Sequence, residues 1–141
     1  MVNSQEKGKR GERAMVRFLR DNGFPAAERT KAGKRDDPGD IWVHGIVAPP
    51  PIIVSVKNGY TPDPHPGTGQ WQDWWADLST TCLALGGTNT LGLLCHARVG
   101  KSDPLYWRWW VDLGWFWDIF DDMGPVQITG GQALRLMRMW K

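Results

Sequence analysis

Cysteine is scarce in this chain. Two residues, Cys82 and Cys95, among 141 are too few for a disulfide scaffold. The three histidines, His44, His65 and His96, are scattered and do not pair with the cysteines at zinc-site spacing, which argues against structural zinc. No apolar run approaches the roughly 20 residues that a membrane-spanning helix needs. The opening stretch, MVNSQEKGKRGER, is polar and lacks the apolar core of a signal peptide. Internal repeats and low-complexity tracts are absent too. These absences lead to the expectation of a soluble, cytoplasmic protein with no membrane partner. The length leaves little room for two domains, so residues 1–141 are read as one. Apolar residues at 41% and charged residues at 23% argue against a disordered chain.

What the chain does have is an uneven charge. Residues 1–35 hold ten Lys/Arg and four Asp/Glu, a net +6, whereas residues 36–141 hold seven and eleven, a net −4. A basic third joined to an acidic remainder suggests a face for a polyanion, the plain alternative being a solvated helix face. Within that third, residues 4–22 read as a helix. Ala14, Met15, Phe18 and Leu19 recur at helical spacing, Asn3 or Ser4 is placed to cap the start, and Gly23 with Pro25 ends it. Arg10, Arg13, Arg17 and Arg20 form a stripe on a different face. Glu12 falls between the two faces, at the edge of the buried one.

Further along, a short strand is expected around residues 27–30, then a loop, then strands at 40–44 and 52–57. The second of these, IIVSVK, is β-branched and mostly apolar, as suits a buried strand. A Pro/Gly-rich loop at 59–69 precedes a helix at 70–85 with Trp71, Trp74, Trp75, Leu78, Cys82 and Leu85 on a broad apolar face. Strands at 90–99 and 105–113 follow. GWFWDIFDDM reads as a short aromatic helix and ITGGQALRLMRMWK as a last amphipathic one. The order predicts an α/β (α+β) domain with a mixed sheet flanked by helices. Ten tryptophans suit a core and a dimer contact first, and base stacking only if their rings are exposed near the basic edge.

The informative segment is PGDIW, nine residues, then IIVSVKN. Asp40 opens one strand and Lys57 closes the next, so in an antiparallel pair both sit at one edge of the sheet. A carboxylate beside a lysine is suited to Mg²⁺ and a phosphate, since Mg²⁺ takes one or two protein carboxylates and keeps several waters. The plain alternative is an Asp–Lys ion pair. Glu12 is placed to reach the same edge.

The run KGKRGERAMVRFLRDNGF, with PGDIW and IIVSVKN, resembles the PD-(D/E)xK nuclease superfamily over residues 5–60. More narrowly it resembles the Holliday junction resolvases of archaea and of actinobacterial phages. The resemblance implies a restriction-endonuclease-like αβββαβ core and a homodimeric endonuclease of DNA recombination and repair that cuts branched, four-way DNA. It implies Mg²⁺ as cofactor, with Mn²⁺ as a substitute, and host cytoplasm as the location for a phage product. Asp40 would be the main metal ligand, Glu12 an organiser of metal or substrate, Val56 a ligand through its carbonyl and Lys57 the motif lysine. Arg13 and Arg29 match phosphate-contacting positions, and Arg10, Arg17 and Lys31 extend that basic set.

One residue departs from the pattern. Ser55 stands where most members carry Glu or Asp. Serine is a poor direct ligand for Mg²⁺, but its hydroxyl can hold a water of the ion's shell. Three readings stay open. Asp40, Glu12 and the Val56 carbonyl hold the metal with Ser55 behind a water; or a carboxylate has migrated to Asp36, Asp37, Asp73 or Asp77; or the site is inert and the protein only binds DNA. A nuclease of the same superfamily acting on flaps, ends or duplex DNA is a further alternative.

Overall fold

A computed structural model describes residues 4–29, 40–45, 49–58 and 65–140, with side chains from residue 8 onward. Three helices, α1 (Ser4–Asp21), α2 (Gly69–Gly86) and α3 (Gly130–Met139), pack on six strands. The strands are β1 (Glu28–Arg29), β2 (Asp40–Trp42), β3 (Ile52–Lys57), β4 (Leu91–His96), β5 (Arg108–Asp112) and β6 (Pro125–Ile128). They lie side by side in sequence order. All neighbours are antiparallel except β3 and β4. That parallel pair needs a crossover, and α2 provides it. The mixed sheet flanked by helices is therefore as the sequence predicts.

The pleat divides the strand residues between two cores. Ile52, Val54 and Val56 of β3 join Met15, Phe18 and Leu19 of α1 and Ala133, Leu134 and Met137 of α3 on one face. Ile53 joins Trp71, Trp74, Leu78 and Cys82 of α2 on the other, together with Leu94 and Trp110. Trp107 and Trp109 belong to the first core and Trp110 to the second, as alternation along that strand requires.

Helices α1 and α2 approach the sheet closely because a glycine lies at each contact, on the helix in one case and on the strand in the other. A Cβ on Gly11 of α1 would stand 3.2 Å from the Asn58 Cβ and 3.4 Å from a Val56 methyl. On the other face, a Cβ on Gly92 of β4 would stand 2.9 Å from the Cys82 sulfur. The caps are local: Thr68 accepts from the Trp71 amide at the start of α2, and Thr129 and Gln132 form a reciprocal capping box at α3.

Two expectations change. GWFWDIFDDM is not an aromatic α-helix; it forms two separate 3-10 turns, Leu113–Trp115 and Asp118–Phe120. Asp112 accepts from the Gly114 amide at 2.8 Å, tightening the first turn, and Trp117 is extended (φ −141°, ψ 121°), which breaks the run. The segment after it adds a strand, β6, that the sequence pattern leaves unassigned. Among the described residues, no helix is long and apolar enough to cross a membrane.

Candidate functional site

The register of the first hairpin defines the site. Asp40 pairs directly with Ser55, and Lys57 lies one pleat further along β3 on the same face. That face is the one covered by α2. Asp40 and Ser55 are buried, at 7% and 3% exposed, whereas Lys57 is half-buried. The proximity of Asp40 to α2 also registers electrostatically. Burial, and then the Asp40 charge, push the Cys82 thiol from 9.0 up to about 12. Cys82 is thus a protonated packing group at neutral pH, not a nucleophile.

The row beyond Asp40 and Ser55 carries cations. Lys57 pairs with His96 and His96 with Arg108 on three consecutive strands. Trp74 of α2 covers this row: its ring stacks on the His96 imidazole at 5.6 Å between centroids, and the Lys57 ammonium lies 6.0 Å from the ring centre. Burial, and then the Arg108 charge, lower the His96 pKa from 6.5 to about 4. Neither imidazole nitrogen has a hydrogen-bond partner among the described residues. His96 is a neutral ring at pH 7 that the sequence pattern does not single out. Its only signal there is its place as the last residue of an apolar strand.

Glu12, expected to reach the Asp40 edge as a metal ligand, lies instead on α1, which packs on the opposite face of the sheet. It is 7% exposed, as its place at the edge of the buried stripe predicts. Its Oε1 accepts from the Arg29 Nε at 2.8 Å. Arg29, expected as a phosphate contact, therefore has its Nε committed to Glu12. Arg10, Arg13 and Arg17 are all exposed along α1. Arg20 is exposed too, but its Nε donates to the Ala27 carbonyl at 3.0 Å and ties α1 to the approach of β1.

Asp73 and Asp77 lie on the exposed side of α2, whereas Trp71, Trp74 and Leu78 face the sheet. Neither supplies the acidic group missing at Ser55. Lys31, Asp36 and Asp37 fall outside the described residues. Among the described residues, no group of three or more His, Cys, Asp and Glu side chains is gathered to hold a metal ion. What the α2 face offers is one buried carboxylate, Asp40, with the Ser55 hydroxyl beside it; the Lys57 ammonium on the same face is a cation and ligates no metal. A lone carboxylate with a hydroxyl is compatible only with an ion that keeps most of its own waters, as Mg²⁺ does. Compared with protein families, curated proteins and solved structures, the chain matches none.

Proposed function

We propose that this chain is a Mg²⁺-dependent endonuclease for branched DNA, acting as a symmetric dimer on four-way junctions. The observation that carries the reading is the Asp40–Ser55 pair with Lys57 on the same face, in a chain whose α1 exposes a stripe of arginines. The antiparallel run of β1 to β3, followed through α2 by the parallel β4, is the strand order that a restriction-endonuclease-like core calls for. A four-way junction has two equivalent strands to cut, and a two-fold dimer offers two sites.

In this reading Asp40 would hold the metal and Ser55 a water beside it. When bound, the metal supplies Lewis-acid stabilisation of the charge that develops on the phosphate. Lys57 holds a phosphate oxygen or orients the attacking water. Water adds to phosphorus in line and gives up a proton to solvent, the opposite P–O bond breaks, and the departing oxygen takes a proton from solvent. Trp74 and α2 restrict solvent at this face, which strengthens each electrostatic contact.

A second reading has its own support. Glu12 is engaged by Arg29, and Ser55 replaces the usual acidic residue. Both favour an inert DNA-binding subunit of the same architecture. Cleavage of end-labelled junction, flap and linear duplex by the purified protein, with Mg²⁺ and with Mn²⁺, separates the readings. The nuclease reading expects junction cleavage that stops on chelation. Junction binding without cleavage under any metal supports the inert subunit, and preferred cutting of flaps, ends or duplex moves the substrate within the superfamily.

A further inference from the structure

Helix α1 forms a ridge between two open grooves. On the β1 side, a groove of about 440 Å³ is lined by Arg13, Arg17, Arg20 and Arg29. On the side of the turn between β4 and β5, a groove of about 630 Å³ is lined by Arg10, Arg13 and Arg17. Arg13 and Arg17 line both. A solvated helix face would not need cations in the concave surfaces on both of its flanks. One phosphodiester strand lying along the helix would use only one of them.

We infer that α1 lies in the major groove of a duplex DNA arm, with one phosphodiester backbone in each flanking groove. The inference rests on the DNA-binding part of the proposed function and names how the arm is held. An α-helix with its side chains is about 10–12 Å across. The B-DNA major groove is about 12 Å wide and the minor groove about 6 Å, so the major groove alone admits such a ridge without deformation. Arg13 and Arg17 are one helical turn apart, about 6 Å along the axis, and both line both grooves, so one is available to each flank. Asp21, the last residue of α1, lines both grooves, and Asp103 lines the larger one. These two carboxylates repel an anion, which assigns the backbone contacts to residues 10–17.

Phosphate-ethylation interference on a linear duplex, with each strand labelled in turn and metal absent, tests the assignment. The expected pattern is two clusters of sensitive phosphates, one per strand, facing each other across the major groove. Arg10→Ala should weaken one cluster alone, and Arg13→Ala together with Arg17→Ala should weaken both. Removing a single arginine–phosphate interaction should lower the slope of log affinity against log salt by about 0.9. Sensitivity on one strand only overturns the inference, as do clusters facing across the minor groove and equally tight binding to a single-stranded oligonucleotide. A protein that cleaves DNA but shows one of those patterns leaves the nuclease reading standing and removes this one. A protein that binds no DNA removes both.

Discussion

The two faces of the sheet handle charge in opposite ways. On the α1 side the cations are outside: Arg10, Arg13 and Arg17 stand in solvent over a core of Met15, Phe18 and Leu19. On the α2 side the polar groups are inside: Asp40, Ser55 and His96 are each at most 7% exposed. Exposed guanidiniums keep their hydration until a polyanion arrives, so they change little in the fold and much in binding and its salt dependence. Buried polar groups are already desolvated. They cost stability unless something answers them, and in exchange their protonation and metal affinity are set by their neighbours. Under the proposed function, holding falls to one face and chemistry to the other, and the contrast can be broken by substitutions that make either face do the other's work.

The largest effect should follow from removing the chemistry. Asp40→Asn or Lys57→Ala takes away charge placed at the developing transition state, worth several kcal/mol, so cleavage should fall roughly 10³-fold or more. Junction affinity measured without metal should change by less than about threefold, because it rests on many phosphate contacts elsewhere. Cleavage that survives in both variants would remove the site from the α2 face altogether.

Next is acid stability at His96 on the α2 side. His96 titrates at about 4 in the folded chain and at 6.5 when unfolded. Between those values the unfolded chain binds the extra proton, so stability falls as pH drops from 6.5 toward 4. The loss is on the order of 3 kcal/mol at the acid end. His96→Phe retains a ring to stack on Trp74 and has nothing to protonate. Urea unfolding at about pH 7 and about pH 4.5 should show this variant losing less stability than the wild type over that interval. Equal losses in the two proteins would mean that His96 is not held neutral by its surroundings.

A smaller effect belongs to the exposed face. Arg13→Glu with Arg17→Glu should weaken DNA binding by about tenfold or more at moderate salt and lower the salt slope by about 1.8, two phosphates at about 0.9 each. Thermal stability should move by less than about 0.5 kcal/mol, as exposed substitutions do. An unchanged slope would reduce the stripe to a solvated surface.

These faces were legible in the sequence to different depths. The 3.6-residue period exposed α1 completely: the Met15–Phe18–Leu19 core, the arginine stripe, and Glu12 at the border. Alternation in IIVSVK placed Ser55 and Lys57 together. What a period cannot show is which helix covers which face, so the approach of Asp40 to Cys82 and of Trp74 to His96 emerged only from the fold. The Arg29–Glu12 pair was hidden for the same reason, since the partners are 17 residues apart on different elements. Strand β6 carries a proline at its start and is partly exposed throughout, so it has no alternation to read. The aromatic run after β5 has helical spacing, but Asp112 caps it locally into a tighter turn.

The finest test of the division is Ser55, the residue at which the chain leaves the nuclease pattern. Its Cα is the direct partner of Asp40 in the β2–β3 ladder, and it is 3% exposed, so any group placed there meets Asp40 with little water between. If the hydroxyl only holds a water of the metal's shell, Ser55→Ala should cost about one hydrogen bond, roughly 1 kcal/mol, or about a fivefold drop in cleavage. Ser55→Glu puts a second carboxylate beside Asp40. Without metal the two charges repel, so this variant should melt below the wild type at neutral pH. Lowering the pH should reverse part of that deficit, because protonating one carboxylate relieves the repulsion. With Mg²⁺ the same pair becomes a two-carboxylate site, and the melting temperature should rise with Mg²⁺ concentration more steeply than in the wild type. Melting curves of wild type, Ser55→Ala and Ser55→Glu across a Mg²⁺ titration read this directly. A Ser55→Glu protein that is destabilised and gains nothing from Mg²⁺ would show that the Asp40 edge is not a metal site, and would leave the α2 face a buried polar core and the proposed DNA contact, among the described residues, to the α1 face.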